Sequence, residues 1–509
     1  MGTLTSSADS LLSISLSTAI TALIGTSIVY RILLTVYRLY LDPLSRFPGP
    51  RLYAISYLPY LIHERIQGTL AKDVQQMHEI YGPIVRISPN RLSVDGSIGW
   101  PDVFAPRGNA PEFEKTIEFY QLGGRVGLFP TYKEDHRRQR RLLSHAFSST
   151  ALQDQEGYVK FYVDLLIRKL QSNMEQGKVV DMTKWYNYTT FDIIGELAFA
   201  DPFNSLANSD YHPWVALIFS SIKAGGVKMF LDHYWLLKPL ILLVYGKEDI
   251  RKFIESRELA KQKTEKRLAL GVDESRKDFM TYILRHNSDG KGMTHDEILV
   301  NSLALIVAGS ETTATALSGL TYHLTMNPEV YQRLASEVRS AFSSEEEINM
   351  NSTGQLHYLQ ACLEEVLRIY PPAAETPPRV SPGETVGGQF VPKGTYITIY
   401  QWPTHHSPLN FTDPERFAPE RWLPVRHPLY NQKYSADNKS ACKPFSYGPR
   451  DCLGKNLAYS EMRLVITRML WNFDLELMPG QNDWVSRQRV FIVYNKGPLM
   501  IRLSPAGKI

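Results

Sequence analysis

Cysteine is scarce. The chain has 509 residues and three cysteines, Cys362, Cys442 and Cys452. Three thiols so widely spaced build neither a disulfide framework nor a zinc spacing, and they fit a reducing compartment. An excess of charge of one sign is also lacking. Fifty-six basic residues stand against 52 acidic ones, a net charge of +4, which does not argue for nucleic acid. No repeat or low-complexity segment follows Tyr53, so one domain is expected over 53–509 despite the length. Nothing charged lies between Leu11 and Tyr30, and nothing basic precedes that run.

At about 1.5 Å per residue, Leu11–Tyr30 is long enough to cross a bilayer as a helix. A cleaved signal peptide wants a basic leader, which is missing, so an uncleaved anchor over 11–30 is expected. Arg31, Arg38, Arg46 and Arg51 follow it. The positive-inside rule then puts residues 1–10 in the lumen and the body in the cytosol. In that topology the sequons at Asn187, Asn351, Asn410 and Asn438 never meet the glycosylation machinery. Residues 31–52 are basic and rich in proline, with Pro43, Pro48 and Pro50 blocking a helix, and read as a stiff hinge.

The chain beyond the hinge reads as mainly helical with small sheets. Helical spacing covers about Tyr132–Phe147, Glu156–Gln171, Lys247–Leu270, Thr294–Met326 and Gln355–Tyr370, and a further helix begins near Lys455. Thr294-His295-Asp296-Glu297 is a capping box that starts the long central helix. Val85–Ile87 and Arg91–Val94 predict a hairpin, and Tyr396–Tyr400 a further strand. Two apolar stretches stay open. Tyr234–Val244 is a core segment or an interfacial patch for lipophilic substrate. Gln121–Phe129 is an ordinary connection or a Gly-rich pocket lid.

The most telling run is Phe445-Ser446-Tyr447-Gly448-Pro449-Arg450-Asp451-Cys452-Leu453-Gly454. Its glycines let the backbone turn tightly against a flat macrocycle. Arg450 can reach a haem propionate, and the helix after Gly454 turns its positive end toward the sulfur of Cys452. This is a good chemical design for a haem-thiolate ligand, against the plainer alternative of an inert buried cysteine.

Other constellations support it. Ala308-Gly309-Ser310-Glu311-Thr312-Thr313 lies in an apolar helix, where small residues at 308 and 309 would let a flat cofactor approach. Thr312 either bonds back to a carbonyl near Ala308 or donates toward dioxygen, with Glu311 feeding protons inward. Glu365 and Arg368 share a helical face, and with Arg421 would form a buried clamp under the cofactor. In His136-Arg137-Arg138-Gln139-Arg140-Arg141, spacing puts His136 and Arg140 on one face, able to meet propionates. Arg137 and Arg141 lie on another, able to meet an acidic electron donor.

On these motifs the chain resembles the cytochrome P-450 monooxygenases over nearly all its length. A-G-x-[DE]-T matches Ala308, Gly309, Glu311 and Thr312. E-x-x-R matches Glu365 and Arg368, the meander arginine matches Arg421, and the haem loop matches Phe445 to Gly454. His136 stands where the family usually has Trp, and Arg379 resembles the arginine that pairs with the other propionate. Leu39–Leu44, Asp135–Ser148 and Asn456–Arg463 are similar to the isotrichodermin C-15 hydroxylase group of filamentous fungi.

The resemblance implies a P-450 fold behind one N-terminal transmembrane helix in the endoplasmic reticulum membrane. It implies haem b (iron protoporphyrin IX) held through Cys452. The implied electron donors are NADPH-cytochrome P-450 reductase and cytochrome b5, and the implied substrate is a lipophilic terpenoid, polyketide or alkaloid. Two other classes stay open: a dioxygen-independent haem-thiolate isomerase or dehydratase, which the Glu311–Thr312 pair argues against, and a non-catalytic haem sensor.

Overall fold

The computed structural model of the chain describes residues 16–108, 110–116, 126–234, 236, 239, 247–273, 275–287 and 292–507. The expected lumenal stretch 1–10, the first residues of the expected span, most of the Gly-rich loop and most of Tyr234–Val244 lie outside the described residues.

The N-terminal helix runs Leu16–Val36 and continues as a wider turn, Tyr37–Leu41. Its apolar side chains, including Leu23, Ile28 and Leu33, are exposed, and Ser17–Leu41 is long and apolar enough to cross a membrane. The helix thus carries on through Arg31 and Arg38, where the sequence suggested that a hinge had already begun. Nothing in 31–41 breaks a helix; the first proline is Pro43. Asp42 ends the helix and caps the turn Pro43–Arg46, its carboxylate accepting from the Leu44 N–H at 2.8 Å. The buried Arg86 guanidinium donates to the Arg38 carbonyl at 2.8 Å, the Asp42 carboxylate at 3.0 Å and the Pro89 carbonyl at 2.8 Å. A β-carbon at Gly49 would sit 2.3 Å from the Arg86 carbonyl oxygen, so only glycine lets the strand come this close.

Arg86 belongs to a five-stranded sheet. Its order is Ile84–Ser88, Arg91–Val94, Tyr396–Thr398, Arg379–Val380, Glu114–Lys115. The expected hairpin is present, and the strand at Tyr396 pairs parallel to Arg91–Val94. At the far edge Lys115 lies directly opposite Arg379. Three further strands, Val180–Asp181, Phe473–Leu477 and Met500–Pro505, pair antiparallel. A C-terminal hairpin, Arg489–Phe491 with Val493–Asn495, delivers Lys496 to the interior.

The helical body is built around the central helix His295–Met326, started by the predicted capping box of Thr294 and Glu297. Its main neighbour is the helix Met182–Phe199. The periodicity missed that helix because it has almost no polar face: nearly every residue except Lys184 and Glu196 is buried. A β-carbon at Gly309 would lie 2.7 Å from Ile194, and one at Gly319 2.3 Å from Tyr370. Gly309 therefore serves helix-on-helix packing. That differs from its expected use as a flat face for a cofactor; Ala308, beside it, is exposed in mid-helix.

The helix His357–Ile369 presents Glu365 and Arg368 to the loop after it. Glu365 is fully buried. It takes both arms of Arg368, at 2.8 and 2.9 Å, and accepts from Arg421 at 3.1 Å. The Ala418 N–H at 2.9 Å and the Trp422 indole at 2.8 Å complete its shell. Burial alone would push this carboxyl up; Arg368 and Arg421 hold it below the usual range. Arg421 also pairs with Asp437, and Arg368 binds the His405 and Pro414 carbonyls, at 2.9 and 2.7 Å. Asp437 and Trp422 had no motif to announce them.

Glu365→Gln should cost about 3–5 kcal/mol of stability, because two guanidiniums lose a shared buried partner. Arg368→Lys should fail similarly, since one ammonium cannot replace the two-armed fork. Denaturant unfolding of the purified variants reads both.

Candidate functional site

The loop Phe445–Gly454 is bent by Gly448, at φ +80°. A β-carbon there would lie 2.0 Å from the Phe104 carbonyl oxygen, so the loop needs glycine for conformation and for space. The Cys452 N–H donates to the Phe445 carbonyl at 2.8 Å, closing the loop on itself. The Phe445 ring packs on Tyr459, centroids 5.0 Å apart, and so ties the loop to the helix Lys455–Asn472.

Cys452 lies deep in the protein yet keeps an open face, whereas Cys362 and Cys442 are buried. Burial pushes the Cys452 thiol up, against the Gly454 N–H, Arg140 and Lys455, which favour the thiolate. A bound metal ion would deprotonate such a thiol outright.

Beside the loop is a cleft of about 350 Å³, lined by His136, Arg140, Arg379 and Arg450 among others. Arg450 donates to Glu112 at 2.6 Å and to the Thr131 carbonyl at 2.9 Å. Arg379 lies 4.0 Å from Glu112 and donates to the Phe113 carbonyl at 3.3 Å. Burial and the surrounding cations, Arg450 and Lys115 first among them, drop His136 to about 3, so it is neutral with one N–H to give. Burial, then Arg379 and Arg450, pushes the Lys115 ammonium well down. Like charges directly opposite across strands are unfavourable, and Lys115 faces Arg379 in that way. Positive charge exceeds the carboxylates of Glu112 and Asp451 in this group. Such a cluster suits a dianion, and a haem with two propionates fits it, with Cys452 within the adjoining loop. Lys115 carries no motif and was missed; it sits between Glu114 and Thr116, and nothing in the local sequence marks it.

Arg140 differs from the expectation. Its terminal nitrogens reach the Asp451 carbonyl, at 2.6 Å, and the Asp451 carboxylate. It fastens the helix Lys133–Ser144 to the thiol loop, while still lining the cleft. Arg137 and Arg141 line the same cleft from exposed positions, at its mouth. Arg138, to which no role was given, pairs with Glu297 at 2.5 Å, and Gln139 bonds Glu297 and Asn301 at 2.9 Å each. These contacts lock the basic helix against the central one.

On the central helix, the Thr312 hydroxyl donates to the Ala308 carbonyl at 2.6 Å. Thr312 is half-buried, while Thr313 is buried. Glu311 is buried and forms an ion pair with Lys496, while the Thr315 hydroxyl lies 3.4 Å from the same carboxylate oxygen. Burial pushes the Glu311 carboxyl up more than Lys496 pulls it down. An acid and a hydroxyl thus stand side by side in an apolar helix, the acid already shielded from water.

The family profile of Cytochrome P450 matches residues 48–503. The chain is 42% identical to the cytochrome P450 monooxygenase astJ of Aspergillus oryzae, over 92% of this chain and 94% of that protein. It is 41% identical to the monooxygenase aclL of the same species, over 94% and 96%. It is 40% identical to the trichothecene C-15 hydroxylase of Fusarium sporotrichioides, over 94% and 97%.

Cys452→Ala should abolish the red-shifted absorption of the reduced carbon monoxide complex, and Cys362→Ala and Cys442→Ala should keep it. Gly448→Ala should cut haem content severely with Cys452 intact, because the added carbon meets the Phe104 carbonyl. Haem-to-protein ratio and the carbon monoxide spectrum read both.

Proposed function

The chain belongs to the cytochrome P450 family and is a monooxygenase of that family; from that premise we propose that Cys452 ligates haem b and that the chain oxidises a lipophilic secondary metabolite of terpenoid, polyketide or alkaloid type. The observation that carries this reading is one arrangement: the single open cysteine beside a cationic cleft, with an acid–threonine pair on the central helix. When bound, the haem supplies activation of dioxygen, with the thiolate favouring O–O cleavage.

The residues of the chain do the rest. Arg379 and Arg450 would neutralise the propionates, neutral His136 would offer them an N–H, and Lys115 would add its charge once an anion stands beside it; Phe445 packs the loop that carries the sulfur. Arg140, through Asp451, fixes that loop in place. The Glu365–Arg368–Arg421 clamp holds the segment leading into it. Ala308 leaves room at the helix surface. The Thr312 hydroxyl, now donating to the Ala308 carbonyl, must rotate to donate toward dioxygen. Glu311 supplies the proton, in a setting that keeps water away. Electrons come from NADPH through a flavoprotein reductase, with cytochrome b5 as a second donor, and Arg137 and Arg141 offer a basic face for such acidic partners.

The N-terminal helix fits an anchor in the endoplasmic reticulum membrane, with residues 1–10 lumenal and the catalytic domain, 53–509, cytosolic.

Thr312→Ala should keep haem and substrate binding but slow product formation by about 10²-fold, with NADPH still consumed and hydrogen peroxide released. Thr313→Ala, about 100° around the helix, should couple far better. Equal coupling in wild type and Thr312→Ala would mean that Thr312 only shapes the helix, and would favour the dioxygen-independent isomerase or dehydratase. Protease added to intact microsomes should digest the catalytic domain, and Asn351 should carry no glycan; full protection would reverse the orientation.

A further inference from the structure

Glu311 and Lys496 lie 185 residues apart in sequence, yet their side chains meet in the interior, 3% and 2% exposed. Lys496 arrives from the C-terminal hairpin just after the strand Val493–Asn495. Its ammonium donates to one carboxylate oxygen of Glu311 and, at 2.7 Å, to the Thr315 hydroxyl. Thr315 stands one turn beyond Glu311, so the two acceptors share a helical face. Those contacts hold Oε1. The other oxygen, Oε2, is buried and has no hydrogen-bond partner among the described residues. Among the described residues, the ionisable groups that face Glu311 are Lys496, Tyr211 and Tyr370, and of these Lys496 is the cation. A buried carboxylate with one oxygen clamped and one left bare is costly unless the bare oxygen has a task.

We propose that Lys496 is a positioning residue for Glu311: it holds Oε1 against the C-terminal hairpin and leaves Oε2 as the oxygen that takes up and hands on the proton. This rests on the reading of Glu311 as the acid. In each proton delivery the O–H bond at Oε2 breaks, the proton passes toward the Thr312 side, and the carboxylate left behind is balanced by the Lys496 ammonium. A second proton, ultimately from solvent, then restores the acid. Lys496 itself touches neither substrate nor cofactor. The bland alternative is that the ion pair only fastens the hairpin to the central helix.

Infrared difference spectra of haem-loaded protein carrying ¹³C-glutamate, wild type minus Glu311→Gln, isolate the Glu311 carboxyl band. In Lys496→Met the pH midpoint of that band should rise by about 1–3, and product per NADPH should fall as far as it does in Glu311→Gln. Lys496→Arg should return both toward wild type. An unmoved midpoint, or a moved midpoint with full coupling, overturns the proposal. Should Glu311→Gln couple like wild type, it is the acid reading that fails, whatever the band does. If Lys496→Met holds no haem, Lys496→Gln, which can keep a hydrogen bond to Oε1 without the charge, takes its place in both measurements, and the same outcomes support or overturn the proposal.

Discussion

One buried carboxylate holds the C-terminal third of the chain in order. Glu365 receives two guanidiniums, a backbone N–H and an indole N–H, all from residues with no direct part in chemistry. Arg368 then fans out to the carbonyls of His405, Pro414 and Arg416, and Arg421 to Asp437. The stretch after His405 is built from short turns with backbone bonds of their own, such as the Asn410 N–H to the Ser407 carbonyl and the Arg416 N–H to the Asp413 carbonyl, each at 3.0 Å. The two arginines tie those turns together through further carbonyls, and both arginines are organised by one acid. A buried ion pair is weak evidence for net stability, but here it fixes the path of a loop, and that path leads into the segment carrying Cys452.

The site has a marked electrostatic division. On the cleft side the cations outnumber the acids, and His136 is kept neutral by burial and by its cationic neighbours. In the middle of the central helix Glu311 is balanced by Lys496. The first environment suits a permanent anion. The second suits a group that changes its protonation, because burial already opposes the charged form.

The residues whose chemistry must sit at fixed spacing were legible. The thiol loop, the acid–threonine pair, the Glu365–Arg368 step and the capping box all occupy short windows, so the sequence displays them directly. The hairpin at 84–94 and the helices at 247 and 294 followed from period alone. What escaped had no local signal. The helix Met182–Phe199 is buried on nearly every side and so lacks the alternation that marks a surface helix. Lys496, Lys115 and Asp437 act through partners 185, 264 and 16 residues away, reached only by the tertiary fold. Gly309 sat inside a motif and was still misread, because its neighbour Ile194 belongs to the helix that periodicity did not find.

Arg86 has a mechanical meaning. Its guanidinium grips the last turn of the N-terminal helix through the Arg38 carbonyl, the cap of the next turn through Asp42, and its own sheet through Pro89. The passage from helix to body is therefore a bracket rather than a tether. Any tilt of that helix is passed to the five-stranded sheet, and through it to the mouth of the cleft. A lateral torque on the helix would have to break a buried ion pair before the body could swing free.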